Sequence, residues 1–214
     1  QSFKKKRLKI FTTDKEPTGA VAEFVLTQIL ATLKNTYIHN LYLKEKKWKK
    51  IKGEMLSSKK VGLIGYGKIG KKISQLLKPF KCKIFIYDPK IKIFSNKKVL
   101  NEIIKKCEII TLNIPYNKRN KNFINFSKLS LMRSDTILVN CSRGGLIDER
   151  AMYKKLLNNP QFRVILDCFD DEPYYGKLIK LNNTLLSPHV ASFTNATRDL
   201  MEKNSFLNCL KNIK

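Results

Sequence analysis

The chain has 214 residues, is 43% hydrophobic and 10% aromatic, and carries a formal net charge of +26 at pH 7. This composition argues against an intrinsically disordered protein, and the length suffices for one large core or two small ones. No apolar run reaches the roughly 18 residues that a membrane span needs, and the basic start is not followed by a signal-peptide core. We therefore expect a cytoplasmic protein without a membrane partner.

The positive charge comes from 36 Lys and 7 Arg spread along the whole chain. Surfaces that bind phosphate or single-stranded nucleic acid usually favour Arg and interleave aromatic residues. An excess of Lys that is distributed along the whole chain instead indicates solvated side chains, with weak and salt-sensitive affinity for polyanions. We expect no specific nucleic-acid site.

The five cysteines, at positions 82, 107, 141, 168 and 209, are odd in number and form no Cys-x-x-Cys pair. This pattern favours small buried thiols in a reducing compartment over disulfides. We predict no metal site.

The first 17 residues are basic and lack periodicity. Apolar residues at helical spacing then predict a helix over residues 20–33, with Thr18 as its N-cap. A second, more polar helix is predicted over residues 37–47, and a charged connector follows up to residue 60.

Beyond residue 60, short apolar runs alternate with helical segments. The runs predict strands at 61–64, 83–87, 108–114, 136–140, 163–167 and 184–187, and the segments predict helices at 68–77, 101–106, 126–132 and 149–157. This alternation is typical of an α/β fold with a doubly wound parallel sheet of the Rossmann type and right-handed crossovers.

A glycine-rich turn over residues 65–70 follows the first strand and begins a helix, which is the setting of a dinucleotide-binding turn. Gly65 would allow the tight turn, Gly67 would let the backbone approach a pyrophosphate, and Gly70 would let helix and strand pack closely. The helix N-terminus would offer free N–H groups to the phosphates. Without this setting the motif is often only a turn.

Asp88 ends the second predicted strand, 18 residues after Gly70. A carboxylate at this position can accept both ribose hydroxyls of NAD and would repel the extra phosphate of NADP. The alternative is a carboxylate that caps the turn before Pro89, and Lys90 and Lys92 would weaken the discrimination. We predict NAD as the cofactor.

Three residues beyond later strands suit the reduction of a 2-oxo acid. Arg143 lies in a glycine-flanked loop, where its guanidinium can hold a carboxylate and polarise a carbonyl; the alternative is a surface ion pair with Asp148 or Glu149. His189 can deliver a proton near neutral pH. Glu172 can hydrogen-bond its other ring nitrogen and stabilise the imidazolium. The set predicts hydride transfer between a nicotinamide and a small carbonyl acid.

Residues 65–70, 87–89, 140–148, 166–173 and 187–191 resemble the D-isomer-specific 2-hydroxyacid dehydrogenases, and the likeness extends from about residue 19 to the end of the chain. The resemblance implies an oxidoreductase that interconverts a D-2-hydroxy acid and its 2-keto acid, with Arg143, Glu172 and His189 as the catalytic residues. It implies NAD contacts, with Asp167 at the nicotinamide amide, from the following residues: Gly65, Gly67, Lys68, Ile69, Gly70, Asp88, Pro115, Cys141 and Asp167. Family members that act on formate carry Gln where Glu172 stands, which argues against formate.

The resemblance also implies a domain organisation and a partner. Residues 1–17 would be the remnant of a substrate domain that is largely missing, 18–190 the NAD-binding domain with a helical dimerisation arm, and 191–214 a C-terminal helical return segment. We expect a homodimer. The substrate type stays open among phosphoglycerate, glyoxylate, hydroxypyruvate and lactate, and the alternative function is an NAD(H)-binding regulatory module without turnover of its own.

Overall fold

The structure is a computed structural model that describes residues 17–212. The predicted substrate-domain remnant at 1–17 therefore lies outside the described residues, apart from Pro17. The helices are α1 (Thr18–Leu33), α2 (Thr36–Lys44), α3 (Lys68–Leu77), α4 (Lys97–Lys106), α5 (Phe126–Leu131), α6 (Glu149–Asn158) and α7 (Asn195–Asn212). The strands are β1 (Lys60–Ile64), β2 (Lys83–Tyr87), β3 (Ile109–Leu112), β4 (Ile137–Asn140), β5 (Arg163–Leu166) and β6 (Thr184–Leu186).

The six strands form one sheet in the order β2-β1-β3-β4-β5-β6, and every neighbouring pair is parallel. This confirms the predicted fold class. The chain moves from β1 to β2 on one side and returns to β3 on the other, so the loops after β1 and β3 diverge. A crevice opens between them at the carboxyl ends of the strands.

Hydrophobic cores cover both faces of the sheet, which explains why the strands are apolar at nearly every position. On one face α1 and α3 pack together and against the sheet, and their buried residues include Val25, Ile29, Ile73 and Leu77. On the other face α4, α5 and α6 contribute Ile104, Leu129 and Met152. Within residues 17–212 no helix has both the length and the apolarity to cross a membrane.

Two helix starts differ from the sequence prediction. Thr18 is the first residue of α1 and Pro17 precedes it, so the prediction of Thr18 as N-cap is wrong. Helix α4 begins four residues earlier than predicted, because the side chain of Asn96 accepts a hydrogen bond from the Lys98 N–H and caps it. The role of α1 and α2 as a dimerisation arm stays a prediction.

Candidate active site

The glycine-rich turn connects β1 to α3 at the crevice. Gly65 has φ +96°, a left-handed conformation that favours glycine, and a Cβ there would overlap the backbone of Asn113 beyond β3. A Cβ on Gly70 would overlap the carbonyl oxygen of Gly65, so α3 lies directly against the turn. Gly67 precedes α3, Lys68 begins it, and the space above Gly67 is open. The turn therefore leaves the helix N-terminus accessible to a pyrophosphate.

Asp88 follows β2 and its carboxylate faces the glycine-rich turn. One oxygen accepts the N–H of Tyr66 at 2.8 Å and the other accepts the N–H of Lys90 at 2.9 Å. The carboxylate thus caps the turn that contains Pro89, which was the alternative to a ribose contact. It is also fixed beside the glycine-rich turn that follows β1. Each oxygen keeps a second lone pair with which to accept a ribose hydroxyl.

A cleft of about 710 Å³ runs along the carboxyl ends of the central strands. Four of the predicted cofactor contacts line it, namely Ile69, Pro115, Cys141 and Asp167, and Arg143 and His189 lie at the same cleft. Asp88 and the three glycines of the turn are not among its lining residues. The predicted contacts thus divide between the turn and this cleft.

Asp167 follows β5 and is almost completely buried, with 1% of its surface exposed. One carboxylate oxygen accepts the Ser187 hydroxyl at 2.5 Å and the Val190 N–H at 2.9 Å, and the other accepts the Ala191 N–H at 2.8 Å. These three donors belong to the segment that carries His189. Asp167 therefore holds that segment in addition to lining the cleft.

His189 and Glu172 form a hydrogen-bonded pair, with His189 Nδ1 and Glu172 Oε2 2.9 Å apart. The other carboxylate oxygen of Glu172 accepts the Phe169 N–H at 3.0 Å. Partial desolvation opposes ionisation of Glu172, but these hydrogen bonds and the positive charge of Arg143 outweigh it, so the pKa of Glu172 is lowered. The pair leaves His189 Nε2 directed away from Glu172.

Arg143 lies in a loop after β4 that side-chain hydrogen bonds hold in place. The amide of Asn140 donates to the carbonyl oxygen of Arg143 at 2.8 Å, and the Ser142 hydroxyl donates to that of Leu112 at 2.5 Å. The guanidinium is exposed and donates to the Ser142 carbonyl oxygen at 2.6 Å.

The alternative that Arg143 pairs with Asp148 or Glu149 is wrong. Asp148 accepts the Ala151 N–H and caps α6, and Glu149 accepts the Asp170 N–H. Among residues 17–212 neither carboxylate forms an ion pair with Arg143. The guanidinium is therefore available to an anion in the cleft.

Arg143, Glu172 and His189 line one cavity of about 440 Å³. The sequence predicted that these three residues share a site. Three further residues that line the same cavity were not predicted: Tyr116, Lys121 and Asp170. Tyr116 directly follows Pro115, four residues beyond the end of β3, and this position after a strand was the available signal. Asp170 lies four residues beyond β5 and offered the same signal, whereas Lys121 had none because it enters through loop packing.

The parallel sheet, the glycine-rich turn and the cleft at the strand ends define a dinucleotide-binding domain of the doubly wound α/β class. The sequence model of the family described as "D-isomer specific 2-hydroxyacid dehydrogenase, NAD binding domain" matches residues 26–191. The chain therefore belongs to the D-isomer specific 2-hydroxyacid dehydrogenase family, in its NAD-binding domain. This membership confirms the predicted resemblance and NAD as the predicted cofactor.

Individual relatives agree with this assignment. The chain is 32% identical to the hydroxypyruvate reductase of Thermotoga maritima over 204 residues, which cover 91% of this chain and 66% of that protein. It is 30% identical to the glyoxylate reductase of Pyrococcus furiosus over 200 residues, which cover 86% of this chain and 60% of that protein. It thus spans two thirds or less of the length of these relatives.

A solved structure shows the same fold. The glyoxylate reductase from Paecilomyes thermophila superposes with a TM-score of 0.86 at 22% identity, over 100% of this chain and 67% of that chain. At this identity the likeness supports the fold alone.

Proposed function

We propose that the chain is the cofactor-binding and catalytic part of an NAD-dependent oxidoreductase that interconverts a small D-2-hydroxy acid and its 2-keto acid. The observation that carries the proposal is the cavity shared by Arg143, Glu172 and His189, which opens beside a cleft lined by Ile69 and Asp167. One cation for a carboxylate and one imidazole for a carbonyl oxygen are the groups that such a reaction needs.

The cradle of residues 65–70 fits a dinucleotide, because Gly65 and Gly70 allow the close packing that leaves the N-terminus of α3 open. Gly67, Lys68 and Ile69 would hold the pyrophosphate side, Asp88 the ribose, and Pro115, Cys141 and Asp167 the nicotinamide side. Bound NADH supplies the hydride.

The residues of the chain would then act on the 2-keto acid. Arg143 binds the carboxylate of the substrate and stabilises the charge that develops on the carbonyl oxygen. Glu172 holds Nδ1 of His189, so that Nε2 faces the substrate and donates a proton to this oxygen as C2 accepts the hydride. The carbonyl becomes a hydroxyl, and in the reverse direction His189 takes the proton back.

We also propose a homodimer through α1, α2 and the connector after them, and we place the protein in the cytoplasm. The side chains of Tyr37, Leu43 and Trp48 are exposed to solvent in this region. An exposed apolar surface of this kind supports an interface that a second subunit would cover. Trp48 is 82% exposed in the single chain.

Substitution of His189→Gln in the full chain tests the catalytic role. We expect NADH oxidation with glyoxylate or hydroxypyruvate to fall by about 10²–10⁴-fold, because the proton donor is lost, while the NADH affinity measured by fluorescence titration stays within about twofold. His39→Gln is the matched control, since His39 lies in α2, accepts the Ile51 N–H and lines neither the catalytic cavity nor the cofactor cleft.

The outcomes separate the candidate functions. Turnover that survives His189→Gln contradicts the assigned role. Tight NADH binding without turnover of any 2-keto acid favours the regulatory alternative, and a chain that does not bind NADH contradicts both.

A further inference from the structure

Lys121 brings a second cation to the cavity of about 440 Å³ that Arg143, Glu172 and His189 line. It lies in the loop between β3 and α5, and the residue is exposed. In the part of the chain that the structure describes, it forms no ion pair. The proposed reaction does not yet use this charge.

Backbone hydrogen bonds hold Lys121 beside the loop that carries Arg143. The Asn122 N–H donates to the Gly145 carbonyl oxygen at 2.8 Å, and the Ile124 N–H donates to the next carbonyl oxygen of that loop at 2.9 Å. The first of these bonds joins the residue after Lys121 to the second residue after Arg143. The two cations therefore extend from neighbouring backbone segments into one cavity.

The beginning of the lysine loop is also fixed. The side chain of Asn117 accepts the Asn120 N–H at 3.0 Å, and the amide of Asn120 donates to the Pro115 carbonyl oxygen at 2.9 Å. The ring of Tyr116 packs so closely on Gly145 that a Cβ there would overlap it. The loop is thus held at its start and after the lysine, and its position in the cavity wall is set by the fold.

The carboxylates of the same wall have other partners. Asp170 accepts the Gly145 N–H at 2.6 Å, and Glu172 accepts the Phe169 N–H and pairs with His189. Within residues 17–212 neither of them forms an ion pair with the lysine. The ammonium is therefore available to an anionic ligand in the cavity.

The order of the strands decides which part of a 2-oxo acid comes close to Lys121. Because the order is β3-β4-β5-β6 at this side of the sheet, the loop of Arg143 lies between the loop of Lys121 and the segment of His189. With the carbonyl oxygen at His189 and the carboxylate at Arg143, the direction from that oxygen to the carboxylate leads on towards Lys121. A carboxylate can accept more hydrogen bonds than a bidentate guanidinium supplies.

We propose that Lys121 binds the carboxylate of the substrate together with Arg143. This inference rests on the proposed function and adds a second cation to its substrate site. Arg143 contacts the carboxylate and the carbonyl oxygen, and Lys121 contacts the carboxylate oxygen that lies farther from His189. The ammonium can reach this oxygen because it is carried on a long, flexible stem.

An unreactive analogue tests the assignment without requiring turnover. The full chain saturated with NADH is titrated calorimetrically with oxamate, which has a carboxylate beside an amide carbonyl. Lys121→Met removes the charge and keeps much of the side-chain volume. We expect the Kd of oxamate to rise by at least about fivefold at low ionic strength, because a cation about 4 Å from a carboxylate contributes this much even in water.

Two further variants separate a direct contact from general effects. Lys121→Arg keeps the charge, and we expect its oxamate affinity to stay within about twofold. Lys118→Met is the matched control, because Lys118 is an exposed lysine of the same loop that lines neither the catalytic cavity nor the cofactor cleft. It is expected to leave oxamate affinity unchanged, and all three variants should bind NADH within about twofold of the original chain.

The results that overturn the inference differ from those that overturn the proposed function. Unchanged oxamate affinity in Lys121→Met, or an equal loss in Lys118→Met or Lys121→Arg, rejects the lysine contact and leaves the proposed function supported by oxamate binding. If oxamate does not bind the NADH complex of the unsubstituted chain, both proposals fail.

Discussion

Asp167 connects the core of the sheet to the candidate proton donor. Its buried carboxylate accepts hydrogen bonds from Ser187, Val190 and Ala191, which flank His189 on both sides. His189 itself has φ +55°, a left-handed conformation that costs a non-glycine residue about 1 kcal/mol. The segment therefore keeps its shape because the carboxylate fixes its donors, and the imidazole is positioned as a result.

Asp167→Asn should destabilise the protein and misplace His189. The amide can still accept, but its NH₂ group faces backbone N–H donors, so at least one buried hydrogen bond is lost. We expect the free energy of unfolding measured by urea denaturation to fall by about 1–3 kcal/mol. Asp171→Asn, at the exposed neighbour of Glu172, is the control. If Asp167→Asn left the free energy of unfolding unchanged, the segment that carries His189 would keep its conformation without the carboxylate.

At the scale of elements, Arg163 joins α1 and the connector to the sheet. It lies at the start of β5 and donates to the Thr32 carbonyl oxygen near the end of α1 at 3.0 Å and to Glu54 at 3.3 Å. Lys59 forms a second ion pair with Glu54. The hydrogen bond from Lys59, aided by the charge of Arg163, lowers the pKa of Glu54.

Arg163→Met should loosen α1 from the sheet. Because a charged donor to a helix carbonyl is removed, we expect the free energy of unfolding near neutral pH to fall by about 1–2 kcal/mol and amide exchange to quicken at the end of α1. Arg198→Met, which removes an exposed pair with Glu202 on α7, is expected to cost at most about 0.5 kcal/mol.

The cost of Arg163→Met should also depend on pH. Since the folded pKa of Glu54 is lowered, its stabilising contribution is present above the pKa of the unfolded chain and is lost as pH falls through the folded value. Equal destabilisation by the Arg163 and Arg198 variants would contradict the anchoring role.

At the scale of the whole molecule, the two cores determine the behaviour of the cysteines. All five are free thiols, and Cys107 and Cys168 are buried. Desolvation raises the pKa of both thiols to about 12 and that of Cys141 well above its usual range. Nearby positive charges lower a thiol pKa, but at these three cysteines desolvation by burial has the larger effect.

The rate at which each cysteine is alkylated should therefore depend on its burial in the folded protein. With iodoacetamide at about pH 8, a thiol of pKa 12 is ionised in about one molecule in 10⁴, so we expect Cys107 and Cys168 to react only after unfolding, as followed by peptide mass spectrometry. Cys209 on the partly exposed face of α7 should react first. Added NADH should slow Cys141 further, because Cys141 lines the cleft. Rapid labelling of Cys168 in the folded chain would contradict this picture.

The sequence by itself determined the order of elements, the parallel sheet and the identity of the groups at the strand ends. Apolar runs of four or five residues between helical segments have few other ways to be buried on both faces. The glycine-rich turn and Asp88 were identifiable because their chemistry depends on residues close in the chain. Helix starts such as that of α4 were missed because a single side-chain hydrogen bond decides them.

Only the tertiary structure decided what surrounds those groups. The burial of Asp167 under the His189 segment and the contribution of Lys121 to the wall beside Arg143 both join residues that follow different strands. Their positions depend on strand order and loop packing, which are set by the whole sheet and leave no periodic signal in the local sequence.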